Sequence, residues 1–333
     1  MNTRTLLRFG ASAVGCALVC IVVCSCMRKF DTGSDAFIVR PYIKDGHYTD
    51  GTLYYDIEKN DAVLIGTKNK DNNIVIPDAI GVNEVVYPLT KIQNLGVFDK
   101  ESYETSKAVT DNDNLTSLTI GVNVRMIDKN VFFRDSSSSD ENKDGNNRMR
   151  RFAKLEYISV RAGNTTFDSR YNCNAIIQSE KNELLLGCKH TVVPNGVTKI
   201  SAAAFRGCEG LKEISLPSTL HIIGPYAFSE SHLEKLNLPS SAFNIGRYAF
   251  YRCDSLISIS LHCNGINIEK NAFQHCSSLK VPESEVRFYN IHISVLSPED
   301  VFDNGCNRLL VPKGCLSSFE EWKKCFHTIQ ELN

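Results

Sequence analysis

Four phenylalanines, Phe205, Phe228, Phe250 and Phe273, recur at intervals of 23, 22 and 23 residues, and their neighbours recur with them. Ile200, Ile223, Ile245 and Ile268 stand five residues before each Phe, and Ala204, Ala227, Ala249 and Ala272 stand directly before it. Leu211, Leu233, Leu256 and Leu279 follow. Ile214, Leu236 and Ile259 lie three residues further on, and Leu216, Leu238 and Leu261 two beyond those. Three residues past the Phe come Cys208, Ser231, Cys253 and Cys276. So many shared registers mark a repeat architecture. A unit this short cannot bury its own apolar row, so successive units must stack and bury it between them.

Each unit reads as a coil. The segment Leu-x-x-Ile-x-Leu, Leu211 to Leu216 in the first unit, ends in period-two alternation and predicts a short strand with one buried face. The Ile-x₄-Phe segment turns the chain back, with both apolar residues pointing inward. Alanine before each Phe allows neighbouring coils to approach closely. Cys208, Cys253 and Cys276 form a column of small interior side chains, where a free thiol behaves as a weakly polar hydrophobe. The expected fold is a β-rich solenoid of short parallel strands with few short helices.

The phrases TKISAAAFRGCEGLKEISLP (198–217) and IEKNAFQHCSSLKVP (268–282) resemble the repeat of the BspA-like leucine-rich-repeat proteins of bacterial surfaces, and so does the longer unit at 172–200, NCNAIIQSEKNELLLGCKHTVVPNGVTKI. The resemblance spans about residues 60 to 312. It implies a right-handed leucine-rich-repeat superhelix with a parallel sheet, and it carries over no catalytic residue. Adhesion to host extracellular-matrix proteins and bacterial co-aggregation are functions that it implies as well.

The N-terminal half keeps the pattern with insertions. Ile127 and Phe132 repeat the spacing of five, and Leu115-Leu118-Ile120 and Leu155-Ile158-Val160 repeat the strand spacing. The surplus residues go to loops near 99–114 and 133–152, as insertions between coils do. The expected organisation is a β cap over 37–73, repeats over 74–312, and a helical cap over 313–333. In that last segment Ser317-x-x-Glu320 has the form of a capping box ahead of Phe319, Trp322 and Phe326.

Residues 1–25 have the layout of a secretory signal: basic Arg4 and Arg8, then an apolar run from Ala11 to Val23, too short to span a bilayer. Val23-Cys24-Ser25-Cys26 resembles the lipobox of bacterial lipoproteins, with Cys26 acylated and 26–36 a tether. Two or three acyl chains, at about 0.8 kcal/mol per buried CH₂, would hold the protein on a membrane. The expected location is therefore the cell envelope, lipid-anchored to the outer membrane and surface-exposed. Nine cysteines remain in the mature chain, an odd number that cannot all pair internally.

The chemistry sought is mostly missing. With 42% apolar and 23% charged residues and a net charge of −1, the chain is not disordered, not a polybasic nucleic-acid binder and not a polytopic membrane protein. Asp140-x-Asn142-x-Asp144-Gly145 begins like a calcium loop, but Arg151 stands where the bidentate Glu is required. His262-Cys263 and His275-Cys276 suggest zinc, yet the repeat register places Cys276 in the interior. No phosphate loop or nucleophile motif is present. The sequence therefore predicts no enzyme, no cofactor, no metal and no nucleic-acid partner.

What remains is the outward face of the strands. Ser117 and Thr119, Tyr157 and Ser159, Glu213 and Ser215, Lys235 and Asn237, and Ser258 and Ser260 lie between the buried positions. They form an adaptable hydrogen-bonding ladder, with Tyr157 as its aromatic anchor. The expected function is non-catalytic binding of a protein or glycan by a surface lipoprotein. The alternative is a structural or accessory envelope subunit that binds another bacterial protein in the periplasm.

Overall fold

A computed structural model describes residues 36–44, 46–98, 112–132, 152–263, 265–290, 292–295 and 297–332. The signal, Cys26 and its tether, most of the first inserted loop, and the Asp140–Gly145 segment lie outside the described residues. Among the described residues no helix is long and apolar enough to cross a membrane. The chain is strand-rich; its α-helices there are the four-residue Lys129–Phe132 and Pro298–Val301.

From Phe205 onward the repeat becomes a stack. The rings of Phe205, Phe228, Phe250 and Phe273 lie 4.9, 5.1 and 5.0 Å apart and within 3° of parallel. All four are buried. The column runs one coil further than the period predicts: Phe302, 29 residues after Phe273, stacks at 5.0 Å. The extra length lies between Leu279 and Val286, after the 3₁₀ turn Ser277–Lys280, and between Val295 and Phe302, where the helix Pro298–Val301 stands. At its start the column rests on Gly187, where a Cβ would come within 2.1 Å of the Phe205 ring. At its end Phe302 meets Phe326 at 5.3 Å and Trp322 at 6.0 Å.

Backbone bonds hold the coils in register, and around each Phe they run from one coil to the next. Ala203, Phe205 and Gly207 donate their N–H groups to the carbonyls of Pro225, Ala227 and Ser229. Tyr226, Phe228 and Glu230 donate to Arg247, Ala249 and Tyr251 in the same way. The alanines that precede Phe228, Phe250 and Phe273 supply accepting carbonyls, and their methyl groups are fully buried. The cysteine column adds a side-chain rung. Cys253 Sγ donates to the Phe228 carbonyl at 3.1 Å and Cys276 Sγ to the Phe250 carbonyl at 3.2 Å.

Two parallel ladders flank the column. The Leu-x-x-Ile-x-Leu rows give Lys235–Leu238 and Ser258–Leu261, and Glu285–Phe288, Cys306–Val311 and Phe326–Glu331 extend the ladder, all parallel and in that order. The isoleucines before the Phe, expected only to line a turn, also pair. Lys199–Ile200, Ile222–Ile223, Asn244–Ile245, Ile266–Ile268 and Ile293–Ser294 form a second parallel ladder.

The strand expected at Leu211–Leu216 does not form, although Leu211 and Ile214 keep their buried register. On its upstream side stands a turn closed by Cys188 N–H donating to Thr191 Oγ1, with Lys189 Cδ 3.6 Å from where a Gly210 Cβ would lie. A turn offers no row of carbonyls on that side, and on the other Glu234 N–H donates to the Lys212 carbonyl. The outward face is therefore split. Asn73–Val75, Ser117–Ile120 and Tyr157–Val160 make one three-stranded parallel sheet, and the five strands from Lys235 make another.

Between the two halves the hairpin Ala175–Gln178/Glu183–Gly187 acts as a wedge. Ile176 and Leu186 pack into the N-terminal core with Leu118 and Ile158, while Ala175, Ile177 and Leu184 pack into the C-terminal one. On the first strand alternation sends Ile176 to one core and Ala175 and Ile177 to the other, and on the second a register shift opposite Ile176 and Ile177 turns Leu184 and Leu186 to different cores. The N-terminal core is roofed by the antiparallel strands Tyr42–Lys44, His47–Thr49, Leu53–Glu58 and Asp61–Thr67, the last of which pairs in parallel with Val85–Ile92. Asp78, 1% exposed, ties the segment at Phe37 to the first repeats. Its carboxylate accepts from Phe37 N–H, Val122 N–H and Arg161 Nη1 at 2.7, 2.7 and 2.5 Å.

The C-terminal segment is a 3₁₀ stretch over Leu316–Lys324, kinked at Phe319, followed by the strand Phe326–Glu331. The capping box is not used, because the helix begins at Leu316, upstream of Ser317, and Glu320 pairs instead with Lys323 at 2.6 Å. Phe319 and Trp322 are buried against the last coils.

Candidate binding surface

The outward ladder is built by strand alternation. Along Tyr157–Val160 the inward Ile158 is 3% exposed and Tyr157 55%. The Tyr157 ring stacks on His190 at 5.7 Å, which holds it in one orientation while leaving a face open. Ser159 bonds Thr119 across the strand pair at 2.9 Å, so these hydroxyls are already partnered with each other. Ser117 faces the same way from the neighbouring strand, directly opposite Tyr157.

Further along, charge pairs replace hydroxyls. Lys235 Nζ meets Glu213 at 3.0 Å, and Lys212 meets Glu234 at 3.0 Å. The hydrogen bond to Glu213 raises the Lys235 ammonium above its ordinary value. Ser215 and Asn237 are exposed and Ser258 half-buried. Ser260, read as an outward group, is instead 8% exposed. It stands between Asn237 and Arg287 on the two flanking strands, whose longer side chains rise around a short one.

The structure brings Lys235, Asn237, Ser258 and Ser260 together on one sheet and Tyr157 with Ser159 on another. Glu213 and Ser215 sit in the unpaired segment between them. The face also continues where the sequence reading stopped. Glu285 pairs with both Arg308, at 2.9 Å, and Arg287, on the strands beyond Ser258. The alternation Val286-x-Phe288 was the available signal, but it falls 27 residues after Ile259-x-Leu261 and so outside the period.

The buried thiols offer no chemistry at neutral pH. Burial pushes Cys208, Cys253 and Cys306 up to about 12 and raises Cys276 well above the ordinary thiol value. A thiol, unlike a thiolate, is a poor nucleophile and metal ligand. Among the described residues no three His, Cys, Asp or Glu side chains converge as metal ligands.

Residues 183–297 match the model of the BspA type leucine rich repeat region, in six copies. No curated protein matches the chain. Among solved structures, a leucine rich cell surface protein of Faecalibacterium prausnitzii is 15% identical, with 86% of this chain and 95% of that one covered and a TM-score of 0.38. A leucine-rich repeat protein of Eubacterium ventriosum is 14% identical over 85% and 83%, with a TM-score of 0.42. One from Bacteroides ovatus is 17% identical over 87% and 67%, with a TM-score of 0.36.

Proposed function

This chain carries a BspA-type leucine-rich-repeat region over residues 183–297, and from that premise we propose that it is a non-catalytic binding protein of the cell envelope. A lipid on Cys26 holds it on the outer membrane. Its stacked coils form a right-handed superhelical solenoid that presents the outward strand face to a protein or glycan on a host matrix or a neighbouring cell. The observation that carries this reading is the division of labour within each coil. Inward positions are spent on a closed aromatic column, and outward positions carry an aromatic anchor, amides and paired charges at the strand spacing of about 4.8 Å.

The paired charges leave the face close to neutral, so recognition there rests on shape and hydrogen bonding around Tyr157 more than on long-range attraction. Two measurements test the proposal. Protease added to intact cells removes the repeats if they face outward, and a chain protected until the outer membrane is opened favours the periplasmic accessory role instead. Binding of the purified protein to immobilised matrix proteins falls about tenfold or more in Tyr157→Ala if that ring is a hot spot. Unchanged binding moves the contact away from this face.

A further inference from the structure

A cleft of about 310 Å³ opens at the corner where the coils of Phe228, Phe250 and Phe273 turn. Glu230, Ser231, His232, Arg252, Asp254 and His275 line it. It shares no residue with the strand face. Three of its side chains come from one register: Glu230, Arg252 and His275 each lie two residues past a Phe, at φ of 60°, 55° and 60°. The equivalent position in the preceding coil is Gly207, at φ 64°. This left-handed backbone suits glycine and is resisted by residues with a Cβ. Three successive coils nonetheless place a titratable side chain there, all three in one cleft.

The polar groups are unequally committed. Glu230 pairs with Arg206 at 3.4 Å, and Asp254 accepts the Ser277 hydroxyl at 2.9 Å. His275 Nδ1 lies 3.9 Å from Asp303. The Gly210 N–H donates to His232 Nδ1 at 3.2 Å, which leaves Nε2 as that ring's donor. Arg252 differs. Its guanidinium lies 5.5 Å over the Tyr251 ring, and among the described residues no carboxylate or carbonyl bonds it.

We propose that this cleft binds a sugar residue bearing one carboxylate, a uronic or sialic acid within a glycan. A guanidinium fork matches a carboxylate with two parallel bonds. Sugar hydroxyls both donate and accept, so they can answer the spare lone pairs of Asp254 and the His232 donor together. A simple anion lacks the row of hydroxyl donors that Asp254 can accept, and a neutral sugar would leave Arg252 unanswered. One carboxylate on a polyol ring satisfies both.

The test is calorimetric titration of the full chain with two acid–neutral pairs: trigalacturonate against its methyl ester, and 3′-sialyllactose against lactose. The expected result is saturable binding of at least one acid, with its neutral counterpart weaker by about tenfold or more. Which acid binds identifies the source. Arg252→Gly removes the guanidinium and suits the φ of that position, so affinity falls about tenfold or more while the melting temperature does not drop. Arg252→Lys keeps the charge without the fork and loses part of the affinity. Tyr157→Ala leaves binding here unchanged, which separates this cleft from the strand face. Failure of both acids to bind, equal binding of the neutral partners, or full affinity in Arg252→Gly overturns the proposal.

Discussion

At the scale of single residues, the aromatic column concentrates the stability. Phe250 is fully buried between two parallel rings, so it loses contacts on both faces when truncated. Phe250→Ala is expected to lower unfolding free energy by about 3–5 kcal/mol, measured by urea titration. The thiols make the stability sensitive to alkali. Burial raises Cys208, Cys253 and Cys306 to about 12 from 9.0. Between those values the unfolded chain sheds protons that the folded chain keeps, so stability is full below pH 9 and falls as pH rises. The expected loss is about 1.4 kcal/mol per pH unit for each such thiol, read from urea midpoints at pH 8 and pH 10. In the same range an alkylating reagent should label these cysteines only as fast as the chain unfolds. These columns are readable in sequence because one residue type returns at one interval. The Arg252 cleft is not, because its register holds Gly, Glu, Arg and His in turn, and what they share is a backbone angle.

At the scale of elements, hydrogen-bond partners decide what side-chain pattern alone cannot. Leu211–Leu216 has the same alternation as Lys235–Leu238, yet only the second forms a strand: it pairs along its length with Ser258–Leu261, whereas Leu211–Leu216 has a turn on one side and, on the other, the bond from Glu234 N–H to the Lys212 carbonyl. Nothing within Leu211–Leu216 records that the preceding coil offers a turn. Ser260 is a similar case: its burial comes from Arg287, on a strand 27 residues away that the period does not reach. The junction of the Phe37 segment with the first repeats centres on one carboxylate. Asp78 satisfies two backbone donors and a guanidinium from three separate segments. Removing one member of such a buried pair costs about 3–5 kcal/mol. Asp78→Ala should therefore free the residues around Phe37 and Val122 for amide exchange well before those around Phe250. Equal exchange in both regions would show that this junction is held by other means.

At the scale of the whole molecule, each coil from Phe205 to Phe273 is clipped to the next by the same backbone bonds, one ring contact and one small interior side chain. Equivalent interfaces can substitute for one another. Excising Arg206–Phe228 joins Phe205 to Ser229 and places the Phe205 ring over Phe250, with Ala249 accepting where Ala227 did. The shortened chain is expected to fold with an unchanged far-ultraviolet spectrum, whereas a deletion of half that length should abolish the cooperative transition. Only the two ends resist this freedom: Gly187 beneath the first ring, and Trp322 with Phe326 beyond the last, each fit one neighbour only. Length is thus an adjustable dimension of this molecule. Gene duplication or loss of a single 22- or 23-residue block would lengthen or shorten the stack without any redesign of the interior.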